Sequence, residues 1–229
     1  MTFSLHQRVF QFPFRCTLQL GMVGVGSTLA IAAMYFSWAS QPVRQLTINE
    51  IIAKPDKNVV LVDEKPVQSG AQVTAGQQVM TLENAKIGLE QADRVLARLG
   101  HESSLILDND CLQLSAGSAL ISGLPGCVGA TVVQNDGAIY LLNRLGTVGE
   151  IKVLAGQVTV SVPSNPSIQS IFLSENQKVT ISLTGDEVGP VRLMLPNEVA
   201  GLLSSELFQG FQRPISNQTA IAGLSQPNI

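Results

Sequence analysis

The sequence predicts a mainly β protein, and three observations carry that reading. The first is the stretch Thr147 to Val162. Ile151 and Val153 alternate there with Glu150 and Lys152, and Val158, Val160 and Val162 alternate with Gln157, Thr159 and Ser161. A period of two on both sides of Gly156 means two strands, each with one buried face, joined where the backbone needs positive φ. The second is recurrence. Val73-Thr-Ala-Gly76, Leu114-Ser-Ala-Gly117 and Val153-Leu-Ala-Gly156 share an apolar residue three before the glycine and Ala just before it, with the glycines 41 and 39 positions apart. Gly137 falls 20 positions after Gly117, and Asn176 falls 20 after Gly156, each leading into a short alternating strand. The third is composition. Charged residues are 14% and aromatics 5%, and Ser, Thr, Gln, Asn, Gly and Val fill much of the rest; that mixture suits strands better than helices.

Turn signals at that interval predict a β-solenoid-like or β-roll domain, in which short coils stack and bury a shared core. An antiparallel sandwich also separates short strands by turns and is the alternative.

Residues 1–15 read as a short cytoplasmic tail, with His6, Arg8 and Arg15 and no acid. Residues 16–39 carry no charge. From Leu18 to Trp38 they are long enough for one N-terminal transmembrane helix, with Tyr35 and Trp38 at the far end where interfacial aromatics belong. The acid-free flank predicts an N-inside orientation. A cleaved signal peptide is the rival reading, because Ser37-Trp38-Ala39 offers small residues at a cleavage site. Either reading sends the rest of the chain out of the cytoplasm. Residues 40–58, with Pro42 and Pro55, read as a linker running into Leu46–Ile52, either a short strand or a helical turn.

The β domain is expected over 59–210, with Val59–Val62 as its first strand. Glu83–Leu99 has two readings: Val95, Ala97 and Leu99 alternate as in a strand, while Leu82, Ala85, Leu89, Ala92 and Leu96 fall near helical spacing. Pro163–Pro166 is an exposed loop. Leu195-Pro196-Asn197-Glu198 starts a short C-terminal amphipathic helix with Val199, Leu202, Leu203, Leu207 and Phe208 on one face and Gly210 to end it. Such a helix covers an open core; the alternative is a partner-binding or membrane-surface helix, and the lack of basic residues before Arg213 speaks against the membrane. Residues 211–229 are polar and aperiodic and read as a disordered tail.

The chemistry is sparse. A net charge of −3 with mixed signs and no basic patch argues against nucleic acid as a partner. No His/Cys cluster has zinc spacing. Asp108-Asn109-Asp110 lacks the later Gly and Glu of a calcium loop. No phosphate-binding or dinucleotide fingerprint appears. We therefore assign no catalytic, cofactor or metal residue. His101, the one histidine after the apolar segment, has no nucleophile signature beside it and reads as a solvated turn residue. Cys111 and Cys127, 16 positions apart, face an oxidising compartment. They either pair across neighbouring coils, stabilising by about 3 kcal/mol on chain-entropy grounds, or stay as two buried thiols.

From about Gln72 to Leu202 the chain resembles the extracytoplasmic FecR domain, the sensor-modulator module of iron-transport signalling. The likeness is carried by Val73–Thr81, Val95–Leu105, Leu112–Leu120, and Gly129–Val133 through Val153–Val160. Two departures stand out. Val133 occupies the place of the family's usual Phe, and Ala130 splits its Gly-Thr pair. The resemblance implies a solenoid-like, non-catalytic domain that works by protein contact. Members that control sigma factors carry an anti-sigma domain before the membrane span, and about 15 residues precede it here, too few for one. The expectation is a single-pass inner-membrane protein anchored in the bilayer by residues 16–39. Its C-terminal domain would be periplasmic and would bind another envelope or membrane protein. The alternative is a membrane-fusion or adaptor subunit of an export system, since Val67–Leu82 resembles a lipoyl-like hairpin. An envelope hydrolase or glycan-binding module is a third class, disfavoured by the few aromatics available for sugar stacking.

Overall fold

The computed structural model describes residues 45–53, 59–135 and 137–225. The expected membrane segment 16–39 lies outside them. Among the described residues no helix is long and apolar enough to cross a membrane.

Among the described residues, seventeen strands form one open, continuous sheet folded on itself into two facing layers. Sheet I runs β4 (Gln72–Thr74), β1 (Gln45–Ala53), β6 (Ala85–Gln91), β7 (Arg94–Leu99), β9 (Leu112–Ser122), β12 (Ile139–Leu145), β13 (Val148–Ala155), β16 (Gln177–Ser182) and β17 (Arg192–Leu193). Sheet II runs β3 (Lys65–Pro66), β2 (Val60–Val62), β5 (Gln78–Thr81), β8 (Ser104–Leu107), β9, β10 (Gly126–Val128), β11 (Thr131–Asn135), β14 (Gln157–Ser161) and β15 (Ile171–Ser174). Strand β9 belongs to both. Its first half pairs with β8, its second half with β7 and β12, and it changes layer near Gly117.

The solenoid-like stacking expected from the 20-residue signal is not what these pairings give. Stacked coils would lay each strand parallel on its copy. Here the strands are antiparallel, with β9 and β10 the parallel exception. The signal marks corners. From β10 onward the chain lays down a hairpin in one sheet, crosses, and lays down the next hairpin in the other, and each hairpin with its crossing takes about 20 residues. Gly137, Gly156 and Asn176 stand at crossings on one edge: a Cβ on Gly156 would lie 3.1 Å from Ala138 Cα, and Asn176 N–H donates to Val153 O at 2.9 Å. Gly117 is a crossing too, but on the opposite edge, across from Arg144 instead of Ile139. Its φ is +75°, and an added Cβ would come within 2.7 Å of Ser103 Cα, so glycine is required there on both counts.

The ambiguous Glu83–Leu99 region is a hairpin. Ala92 and Asp93 both take positive φ, +49° and +61°, as in the two-residue turn whose twist matches its strands. Val67–Leu82 does not fold as a hairpin of its own, because β4 pairs with β1 while β5 pairs with β2 and β8.

The main core lies between the sheets and is built from the alternating apolar positions, including Val153, Val158, Val160, Val179 and Ile181. Tyr140 is wholly buried in it, and its hydroxyl donates to Leu124 O at 2.7 Å. Burial without a compensating charge pushes that phenol well above its ordinary range.

Two expected boundaries change. Strand β1 falls inside the stretch read as linker, and its Leu46 and Ile48 are buried, so the domain begins by Gln45. The residues after 210 are not a loose tail as far as Ile221. Ile215 and Ile221 are buried against the outer face of sheet I, and Gln218–Ser225 is a 3₁₀ segment. Isolated isoleucines in a polar run give no periodicity, which is why the sequence conceals this packing.

Candidate interaction surface

Four cations on the outer face of sheet I meet the C-terminal segment. Lys86 sits on β6, Arg98 on β7, Lys152 on β13 and Lys178 on β16. Alternation alone would leave them in water. The C-terminal segment covers them instead. Helix α1 (Pro196–Leu203) and the strap that follows it bury Val95, Leu120, Leu141 and Leu154 in a second apolar cluster.

Arg98 is 2% exposed. Its Nη1 donates to Leu207 O at 2.9 Å and its Nη2 to Arg213 O at 2.8 Å, with its guanidinium carbon 4.2 Å from the Phe211 ring centre. Burial pushes the group down to about 10, so it remains a cation at neutral pH. Lys86 donates to Glu206 O at 2.9 Å, and burial lowers it against a smaller opposing pull from Glu206. Both cations therefore hold strap carbonyls, which is how a helix-free segment satisfies its backbone while buried. Arg213 reaches back to Glu90 and to Asp93 O.

Helix α1 is held by Glu198. Its carboxylate meets Lys178 at 2.7 Å and Lys152 at 3.2 Å, and Lys152 also meets Glu150 at 2.8 Å. Burial would raise the Glu198 carboxyl; the hydrogen bonds from Lys178 and Lys152 outweigh it and hold the group below its ordinary value.

Of the residues singled out from the sequence, the structure joins Cys111 to Cys127 and leaves His101 apart from them. His101 stands on a turn with its side chain 39% exposed, and it is also a tether: Nδ1 donates to Ala85 O at 2.9 Å, and Nε2 meets Glu206 at 2.6 Å. Asp108-Asn109-Asp110 is the turn between β8 and β9, with Asn109 N–H donating to Asp108 Oδ1 at 2.8 Å. Cys111 immediately precedes β9 and Cys127 lies within β10, its parallel partner; both are buried, with Cα atoms 5.9 Å apart and their sulfurs bonded. A pocket of about 470 Å3 lies between α1 and the 3₁₀ segment. Its lining includes Leu203, Phe208, Pro214 and Ile221, and none of its lining residues titrates.

The two ends of the layered sheet differ. At one end stand β3 and β4. Strand β3 is Lys65–Pro66, preceded by Asp63 and Glu64, and charge and proline blunt a free edge. At the other end stand β15 and β17, and large apolar side chains are exposed there: Phe172 at 64%, Leu193 at 70% and Leu195 at 63%. Sequence reasoning missed this surface. Phe172 occupies an ordinary outward position of an alternating strand, and only knowledge that β15 is an edge gives it meaning.

No family model matches the sequence, and no curated protein matches it. The chain is similar to two crystal structures of a proposed anti-sigma factor from Parabacteroides distasonis. One, at 1.65 Å resolution, has 14% identity and a TM-score of 0.38 over 57% of this chain and 62% of that one. The other, at 2.50 Å, has 15% identity and a TM-score of 0.34 over 69% and 63%. The chain thus spans less than two thirds of the length of either.

Proposed function

We propose that this protein is a non-catalytic, FecR-like module that acts by binding another envelope or membrane protein. Residues 16–39 anchor it in the inner membrane, and the β domain stands on the periplasmic side. The observation that carries the reading is the exposure of Phe172 on β15, Leu193 on β17 and Leu195 just beyond it, all at the same end of the layered sheet. Exposed apolar surface of that kind marks sites of macromolecular contact. The motif likeness to FecR domains supports the same conclusion. So does the employment of titratable groups: Lys86, Arg98, Lys152 and Lys178 on sheet I and His101 on the turn after β7 all hold the C-terminal segment down, the last three through its Glu198 and Glu206. A disulfide between Cys111 and Cys127 suits an oxidising compartment.

Chemical cross-linking of the full chain in its host, followed by purification under denaturing conditions, tests the reading. A recurrent protein adduct at stoichiometric yield is the expected result. A chain recovered free of protein adducts would overturn it.

A further inference from the structure

We infer that the free edge of β15 accepts an added β-strand from a partner, and that this strand is an extended, uncharged peptide segment. The inference rests on the contact-based reading above and names its surface and the chemistry of its partner.

Backbone geometry comes first. Ser174 N–H donates to Gln177 Oε1 at 2.8 Å and not to β14. Antiparallel pairs alternate between bonded and non-bonded. The Gln157–Ser174 pair is therefore non-bonded, Val158–Leu173 is bonded, and Thr159–Phe172 is non-bonded. Phe172 consequently turns its own N–H and C=O to the open side.

Side chains complete the site. Val179 and Ile181 face the inter-sheet core, so Gln177, at the same parity, does too. Leu193 pairs with Gln177 and shares its face, yet it is 70% exposed. The reason is position. β15 turns directly into β16 through Glu175-Asn176, so at that corner β15 lies over β16. β17 is one strand further out, and among the described residues no strand of sheet II lies over it. Leu193 is a core-facing residue whose opposite wall is missing. A strand added to β15 would supply that wall and bond Phe172 in the same act, which is how strand addition couples main-chain affinity to side-chain pockets.

The occupant follows from these contacts. Residues of the added strand that face inward meet Leu193, and those that face outward lie beside Phe172. β15 itself, Ile171-Phe-Leu-Ser174, bears no charge, and a charge inserted over Leu193 would be desolvated without a partner. A second copy is a poor occupant. Pairing β15 with its own copy would join four residues, about 13 Å of strand, whereas stable dimers bury about 800 Å2 per partner. A flexible segment has no such requirement.

Random-sequence peptides selected on the full chain provide the test. Selected peptides should be uncharged with alternating apolar residues, and their binding should slow amide exchange at Phe172. Phe172→Lys and Leu193→Lys, both at exposed positions, should each weaken them by about tenfold or more, while Lys65→Ala at the blunted end leaves them unchanged. Peptides that bind equally to both lysine variants, or that are strongly charged, would overturn the edge assignment and leave the contact-based function standing. Dimers in sedimentation that Phe172→Lys dissociates would overturn it in favour of a second copy. Loss of cross-linked partners altogether would instead remove the broader reading.

Discussion

Arg98 shows what a single residue does in this fold. Its guanidinium satisfies two carbonyls of a segment more than 100 positions away and stacks against Phe211. Substitution by Met keeps the bulk and removes the donors, leaving Leu207 O and Arg213 O without them. Arg98→Met should lower unfolding free energy by about 2–3 kcal/mol, read from urea denaturation. Arg213→Ala, whose partner contact is partly exposed, should cost less than about 1 kcal/mol. Nothing in the sequence separates these two arginines. Both are cations in a mixed stretch, and only the later packing of residues 207–213 makes one of them a keystone.

At the scale of elements, helix α1 was legible from Pro196, Glu198 and the apolar spacing that follows, and its start is where the spacing places it. Its end was not. Gly210 looked like the stop, but the helix closes at Leu203 and the chain goes on as an irregular strap whose carbonyls accept hydrogen bonds from Lys86 and Arg98. Glu198 ties the helix to the sheet with its folded-state pKa below the ordinary carboxylate value. A depressed carboxylate contributes stability that is full above its unfolded pKa, about 4.5, and disappears as pH falls through the folded value. Stability should therefore fall below about pH 4.5, and in Glu198→Gln that portion of the fall should be absent. At neutral pH Glu198→Gln should cost about 1–3 kcal/mol, less than a fully buried pair because the group is partly exposed. The strap makes a separate prediction. Ile215 is 1% exposed, so Ile215→Ala should destabilise by about 2–4 kcal/mol in thermal or urea unfolding. A disordered tail would give no change.

For the whole molecule, period-two patterning named the class, and the 20-residue turns named a real regularity. What they could not name was the geometry behind it. A glycine at positive φ serves a coil corner and a sheet-to-sheet crossing equally well, and strand direction is fixed by which partner the next segment finds. Gly117 illustrates this, since the same Ala-Gly motif that sits on one edge at Gly156 sits on the opposite edge here. The open end was equally hidden, because an edge exists only once the order of strands is known. That end makes the molecule asymmetric, with Lys65 and Pro66 on the edge at one extremity and Phe172 and Leu193 exposed at the other. Photo-reactive side chains placed in the full chain at positions 172 and 193, and as controls at 65 and 113, would test this asymmetry in the host. Protein adducts are expected from 172 and 193 and none from 65 or 113. Adducts spread equally over the four positions, or confined to 65 or 113, would contradict it.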